Sequence, residues 1–301
     1  MQGPWSGPGL ERMNPGVVYA LVAACGLGAV TTQAKFVYAD GGNALTLMFW
    51  RFVMSVLVIG LIVIIQRGSF RLPPETGRPT VLVGIIWSGS MICYLMAVES
   101  ISVSLAVLIL YSYPVLVFVF SVVSGRIALS ARTAIAFFTA FTGLALMLLS
   151  KNLVPNLSGI LFAMLAACGA AYTFLVGRTV ASRMSPLVLA FWVNFMGILL
   201  IMPLIHGKFS MPSSNFALTV LGSATLCYII AIVCQFQSLA RMPSAKAAFI
   251  FNFEPVVSIL LALFILGENL SPLQWAGAGL VMLVLLGSER ILRQEERTGQ
   301  P

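Results

Sequence analysis

Residues 16–26 read GVVYALVAACG and residues 159–169 read GILFAMLAACG. Six of the eleven positions are identical: Gly16/Gly159, Ala20/Ala163, Ala23/Ala166, Ala24/Ala167, Cys25/Cys168 and Gly26/Gly169. Both stretches are apolar, uncharged and rich in small residues that let helices approach closely. Each reads as the first helix of a unit, and the unit occurs twice. The register continues outward from them. Lys35 falls opposite Arg178, and Phe49-Trp50 nearly opposite Phe191-Trp192. At a shift of 141, Pro114-Val115 matches Pro255-Val256 and Leu129-Ser130 matches Leu270-Ser271.

What lies between the matched positions is nearly all hydrophobic. Of 301 residues, 59% are apolar and 9% charged, against about 45–50% and 25% in soluble domains. So few charges cannot cover that much apolar surface in water, and the chain reads as an all-α polytopic membrane protein. Ten apolar runs fit a span of about 20 residues: roughly 16–37, 43–65, 79–98, 102–122, 130–150, 157–178, 186–205, 215–238, 244–266 and 271–288. The chain then divides into a tail at 1–15, a five-helix repeat at 16–150, a second at 157–288 and a tail at 289–301. Five is odd, so the two repeats face opposite ways across the bilayer. Such inverted repeats mark alternating-access transporters, with the substrate site where the halves meet.

Charge sets the orientation. With the N-terminus in the cytoplasm, inside segments hold Arg12; Arg67, Arg71 and Arg78; Arg126 and Arg132; Arg178 and Arg183; Arg241 and Lys246; Arg290, Arg293 and Arg297. That is 13 of 17 Lys and Arg, against 3 outside, Lys35, Lys151 and Lys208. The split follows the positive-inside rule with both termini cytoplasmic. It also accounts for the formal charge of +8 without nucleic acid, since no basic cluster occupies a polar face. Arg12 followed by Val22-Ala23-Ala24-Cys25 imitates a lipoprotein signal. The same Ala-Ala-Cys recurs at 166–168, deep in the chain, where no signal peptide can lie.

The five-span halves and their motifs resemble the drug/metabolite transporter superfamily, in its EamA branch, over about residues 15–290. The second half carries Glu254-Pro255-Val256, then Leu266-Gly267-Glu268-Asn269-Leu270-Ser271, then Gly277 and Gly279. The first half carries Tyr113-Pro114-Val115, but its turn, Ser124-Gly125-Arg126-Ile127-Ala128-Leu129-Ser130, lacks the glutamate. Arg51 in span 2 is a further family cue. The resemblance implies a permease of the bacterial inner (cytoplasmic) membrane. It leaves the substrate open among amino acids, nucleosides, sugars, vitamins and other metabolites. By analogy, Glu268 braces its turn.

Two charges lie deep in spans. Glu254 sits near the middle of span 9, where a carboxylate must be protonated, paired or facing water. Proton coupling, recognition of a cationic group and a purely structural hydrogen bond all fit it. Pro255 removes one helix bond and frees the carbonyl of Ile250 or Phe251. Arg51 lies about 12 Å into span 2. It can snorkel, hold a substrate carboxylate or lock two helices through a partner such as Glu254 or Glu99. The repeat sets Tyr113 opposite Glu254, Tyr111 opposite Asn252 and Tyr94 opposite Gln235. A cavity with phenols on one wall and polar groups on the other suits an amphipathic solute, and Tyr172, Trp192 and Asn194 can add to it. Tyr94 and Tyr111 also fit the role of interfacial anchors.

The sequence contains no Gly-x4-Gly-Lys-Ser/Thr motif, metal-ligand cluster or His/Ser/Asp constellation. His206 is a lone loop histidine, and the five cysteines are scattered through apolar runs. No cofactor, metal or catalytic residue is expected, and energy must come from a gradient or a partner. The readings are then a secondary exporter of a small metabolite, a nutrient importer on the same fold, or, remotely, an intramembrane enzyme or lipid-handling protein.

Overall fold

The computed structural model describes residues 14–127, 130–148, 156–267 and 270–298, with side chains to Leu285. Arg12, Leu129, Lys151, Glu268 and Asn269 lie outside the described residues. Within them the chain forms twelve helices and no strand: α1 (Pro15–Ala39), α2 (Ala44–Ile65), α3 (Pro74–Ser100), α4 (Val103–Leu110), α5 (Tyr113–Val123), α6 (Ala131–Leu148), α7 (Leu157–Ala181), α8 (Pro186–Ile205), α9 (Asn215–Leu239), α10 (Ser244–Ile250), α11 (Phe253–Leu266) and α12 (Pro272–Thr298). With α4–α5 and α10–α11 each counted as one crossing, nine are long and apolar enough to span a membrane, and α12 adds an apolar stretch over Pro272–Leu285. Large apolar side chains face outward, among them Leu61, Ile64, Ile135, Phe138 and Phe264. A soluble protein does not expose so much apolar surface.

Sequence fixes where helices begin. Asn14, Asn43, Asn156 and Ser214 each accept a backbone N–H of the first turn, at 2.8, 2.8, 2.9 and 3.1 Å. Helix α3 starts at Pro74, five residues before the expected boundary. Proline tolerates the first helical position, and Glu75 complements the helix N-terminus. Spans 4 and 9, expected as continuous helices, are broken at Tyr111-Ser112 and at Phe251-Asn252. Pro114 and Pro255 follow the two breaks and cannot donate to the preceding turn. Helices α5 and α11 then each end in a left-handed glycine, Gly125 (φ 67°) and Gly267 (φ 66°). The two turns thus open on the same left-handed glycine.

The extensive helix packing joins the halves to each other: α1 with α9, α3 with α7, α2 with α8, and α6 with α12. Exchanging the halves turns the first pair into the second and leaves the other two unchanged. The Ala-Ala-Cys-Gly repeat is the platform for this packing. Ala23 and Ala24 are fully buried, and Gly26 meets Cys227 and Ala231 of α9. Likewise Ala166 and Ala167 are buried, and Gly169 meets Ser90 of α3, whose hydroxyl donates to the Ala166 carbonyl at 2.6 Å. Cys25 and Cys168 point outward as free thiols.

Loop contacts define two faces. On one, Gly16 packs on Arg241 and Met242, Arg178 Nη1 donates to the Met242 carbonyl at 2.8 Å, and Trp192 Nε1 to the Phe70 carbonyl at 3.0 Å. On the other, Gly159 packs on Ser100 and Ile101. There the 40–43 loop is clasped to the 206–214 loop. Asn43 Nδ2 donates to the Lys208 carbonyl at 2.7 Å, and Ser210 Oγ to the Gly41 carbonyl at 2.5 Å. Asp40 Oδ2 accepts the N–H groups of Ser213 and Ser214, both at 2.7 Å. Helices α1 and α7 thus start on opposite faces, and the repeats are inverted.

The Ser214 and Ser213 N–H groups stabilise the ionised carboxyl of Asp40 and hold it below its usual range. A lowered carboxyl contributes stability that is complete above the unfolded value and lost as pH falls through the folded one. The difference in melting temperature between wild type and Asp40→Asn should therefore hold steady from about pH 5 to 8 and shrink below about pH 4. A difference that grew on acidification would show that the carboxylate is not the clasp.

Candidate functional site

The two helix breaks meet between the halves. Tyr111 and Tyr113 are buried at the first, and Glu254, half-buried, is the second residue of α11 after the other. The Tyr111 hydroxyl is a hydrogen-bond partner of the Glu254 carboxyl group, and Tyr94 and Tyr113 lie within electrostatic range of it. The rings continue inward: Tyr111–Tyr113 centroids lie 6.0 Å apart, Tyr113–Phe174 5.1 Å and Phe174–Phe251 5.0 Å. Helix α1 closes the back of the site at Gly28, where an added Cβ would lie 2.8 Å from the Glu254 carbonyl oxygen. Thr31 and Ser258 join their hydroxyls beside it, 2.6 Å apart. A carboxyl group among phenol and phenyl rings can take a proton, or an ammonium group through charge and ring faces together.

Tyr111 is 7% exposed and sits in mid-span, so the interfacial-anchor alternative does not apply to it. Pro255 does not free the Phe251 carbonyl, because that oxygen accepts the Glu254 N–H at 3.0 Å. The tight turn at the break recruits the group that the proline leaves unbonded.

Arg51 builds a second cluster. Its Nε donates to the Leu47 carbonyl at 3.3 Å, and its guanidinium carbon lies 5.3 Å from the centre of the Tyr228 ring. Among the described residues it makes no ion pair with Glu99 or Glu254; tyrosines 228 and 38 are its electrostatic neighbours. Tyr228 donates to Asn194 Oδ1 at 3.1 Å, and Asn194 Nδ2 donates to the Ala190 carbonyl at 2.7 Å. Trp87 approaches the Tyr228 hydroxyl, yet its buried N–H finds no well-formed acceptor there. Tyr38 lies within range of both Arg51 and Tyr94 and connects the two clusters.

The structure thus gathers Tyr94, Tyr111, Tyr113 and Glu254 in one cluster and Arg51 and Asn194 in the other. Asn252 is buried, with its amide spent on the Phe249 carbonyl at 3.0 Å, so it shapes the break. Tyr172 is half-buried against the main core. Trp192 stands apart, committed to the loop at Phe70. Tyr38, Trp87, Phe174 and Tyr228 were not singled out by the sequence. The repeat carried a signal for two of them: a shift of 141 pairs Trp87 with Tyr228, and the register that pairs Lys35 with Arg178 pairs Arg51 with Asn194. Residues that exchange under the repeat and also touch lie on its two-fold axis.

Comparison with known proteins agrees with this architecture. The profile of the EamA-like transporter family matches twice, over residues 14–149 and 157–288. An uncharacterized transporter of Archaeoglobus fulgidus is 25% identical over 274 residues, covering 88% of this chain and 94% of that protein. The uncharacterized transporter YcbK of Bacillus subtilis is 23% identical over 301 residues, covering 93% and 94%. A crystal structure with 16% identity superposes with a TM-score of 0.78 over 89% of this chain and 95% of that one, a likeness of fold. Two family matches follow the two sets of five crossings, and full-length relatives bear the transporter name; the chain belongs to the EamA-like transporter family and is a multi-pass membrane transporter.

Proposed function

We propose that this chain is a secondary transporter that exports a small amphipathic solute, an amino acid or similar metabolite, by alternating access. Its two units are the five-helix repeats at 16–150 and 157–288. The observation that carries the proposal is the meeting of both helix breaks at the Glu254–Tyr111 contact. Broken spans at a repeat interface are where transporters of this construction bind their cargo. Tyr94, Tyr111 and Tyr113 supply the aromatic wall. Glu254 supplies the charge that binds an amine or carries a coupling proton, and the solute and the proton compete for it. The membrane is the cytoplasmic one, with the face that bears Arg71, Arg183 and Arg241, and both tails, toward the cytoplasm.

A metabolite profile of cells and spent medium tests this. Cells making the wild-type chain are compared with cells making Glu254→Gln at equal membrane levels. The expected result is one solute with an amine and an apolar body that leaves the cytosol and appears outside only with the wild type. Accumulation of a medium component inside would reverse the direction. No movement in either sense would count against transport of the solutes present.

A further inference from the structure

Arg51 shares its helix face with Ser55 and its neighbour Tyr228 with Trp87, and both are donors that lack a well-formed acceptor. The Nε of Arg51 is used, but its terminal nitrogens make no hydrogen bond among the described residues. Ser55, four residues further along α2 and so on the same helix face, is fully buried with its hydroxyl unpartnered. Trp87, 8% exposed, brings its indole N–H toward the Tyr228 hydroxyl but makes no well-formed bond there. Tyr228 turns its hydroxyl away, toward Asn194, and offers Arg51 only its ring. Buried donors without partners are strongly disfavoured, and those in native proteins call for an explanation. A guanidinium fork over the Tyr228 ring, an indole N–H near the Tyr228 hydroxyl and a hydroxyl on the same face of α2 all lack a well-formed acceptor, and a planar carboxylate fits the fork best. No carboxylate of the described protein supplies it.

We infer that Arg51, Trp87 and Ser55 form a seat for a carboxylate of the transported solute, so that the solute is a zwitterion with its ammonium group at Glu254. This deepens the transport proposal and rests on it. Glu254 and Arg51 make no ion pair with each other among the described residues; Tyr38 is within electrostatic range of Arg51, Tyr94 of Glu254, and the two tyrosines of each other. A zwitterion brings the counter-ion of each. A solute with only one charge leaves the other buried and unmatched, which gives the site selectivity.

The test uses the purified full-length protein and its melting temperature. The probes are the twenty amino acids, 4-aminobutyrate and 6-aminohexanoate, each beside its carboxamide and its deaminated acid. At least one zwitterion should stabilise the wild type. Its amide and its deaminated acid should each need about tenfold more for the same shift. Trp87→Phe keeps the ring and should cut the acid-over-amide preference about 3- to 10-fold, and Arg51→Lys at least as much. Both should leave the preference over the deaminated acid intact, because that ratio reads Glu254. Equal stabilisation by acid and amide, an unchanged preference in Trp87→Phe, or no zwitterion that stabilises the wild type would each overturn the seat. The metabolite profile separates this failure from failure of transport. A solute without an acid group that is still expelled in a Glu254-dependent way keeps the transport proposal and removes the seat.

Discussion

Glu254→Gln should slow solute exchange in proteoliposomes by roughly 10- to 150-fold, the factor that corresponds to losing a hydrogen bond to a charged group. The protein should still fold and insert, because glutamine keeps the shape and an acceptor for Tyr111. What it removes is the charge and the proton site. Exchange by the wild type should therefore respond to an imposed pH gradient, and the residual exchange of the variant should not. Glu99 provides the control. It is exposed at the end of α3, and Glu99→Gln should leave the rate within about twofold, as surface substitutions do. If Glu254→Gln transports at the wild-type rate and still follows pH, the carboxylate is structural and the coupling site lies elsewhere.

Gly28→Leu should be the most damaging packing change near the site. The Cβ it adds meets the Glu254 carbonyl oxygen at 2.8 Å and the Val257 Cβ at 2.9 Å. One is backbone and the other the branch point of a stiff side chain, so neither can swing aside. Helix α11 must move off α1 and carry Glu254 away from Tyr111. Gly28→Ala should cost about 1–3 kcal/mol, and Gly28→Leu should lie at or above the top of that range. Both should lower the melting temperature and slow exchange together. Gly89 gives the opposite sign, since nothing lies within 4 Å of its added Cβ. Gly89→Ala should gain about 0.5–1 kcal/mol from helix propensity. A Gly28→Leu protein as stable as the wild type would mean that α1 does not brace α11.

The fold was legible because the membrane leaves few choices. Apolar runs of span length must be helices, and the charge split with an odd repeat gives the inversion. Glu254 with Tyr111 and Tyr113 was legible through the repeat, since they are partners or neighbours of partners at the shift of 141. The breaks at Tyr111-Ser112 and Phe251-Asn252 were not, because a proline inside an apolar run is compatible with a kink as well as with two helices. Trp192 was misjudged on residue type. An indole six residues after a helix start and one in a cavity look alike in sequence, and only the Phe70 carbonyl tells them apart. For Arg51 the sequence leaves snorkelling, a substrate carboxylate and an acidic partner open, because a buried cation is compatible with each. Its neighbours include the Leu47 carbonyl and tyrosines 228 and 38, an arrangement that local sequence does not announce.

The exchange of partners between the halves bears on how the protein is made. Helix α1 rests on α9, which ends at Leu239. About two hundred residues must be synthesised before α1 meets its platform, which at about 5–20 residues per second takes roughly 10–40 seconds. During that interval α1 stands in the bilayer with its small-residue face bare. Neither half is a finished unit, so a chain truncated after the fifth crossing should be handed to quality-control proteases, and supplying the missing half from a second gene should rescue it. Duplication of an ancestral five-helix protein that paired antiparallel with its own copy about a two-fold axis would have left this dependence in place and made the partner permanent.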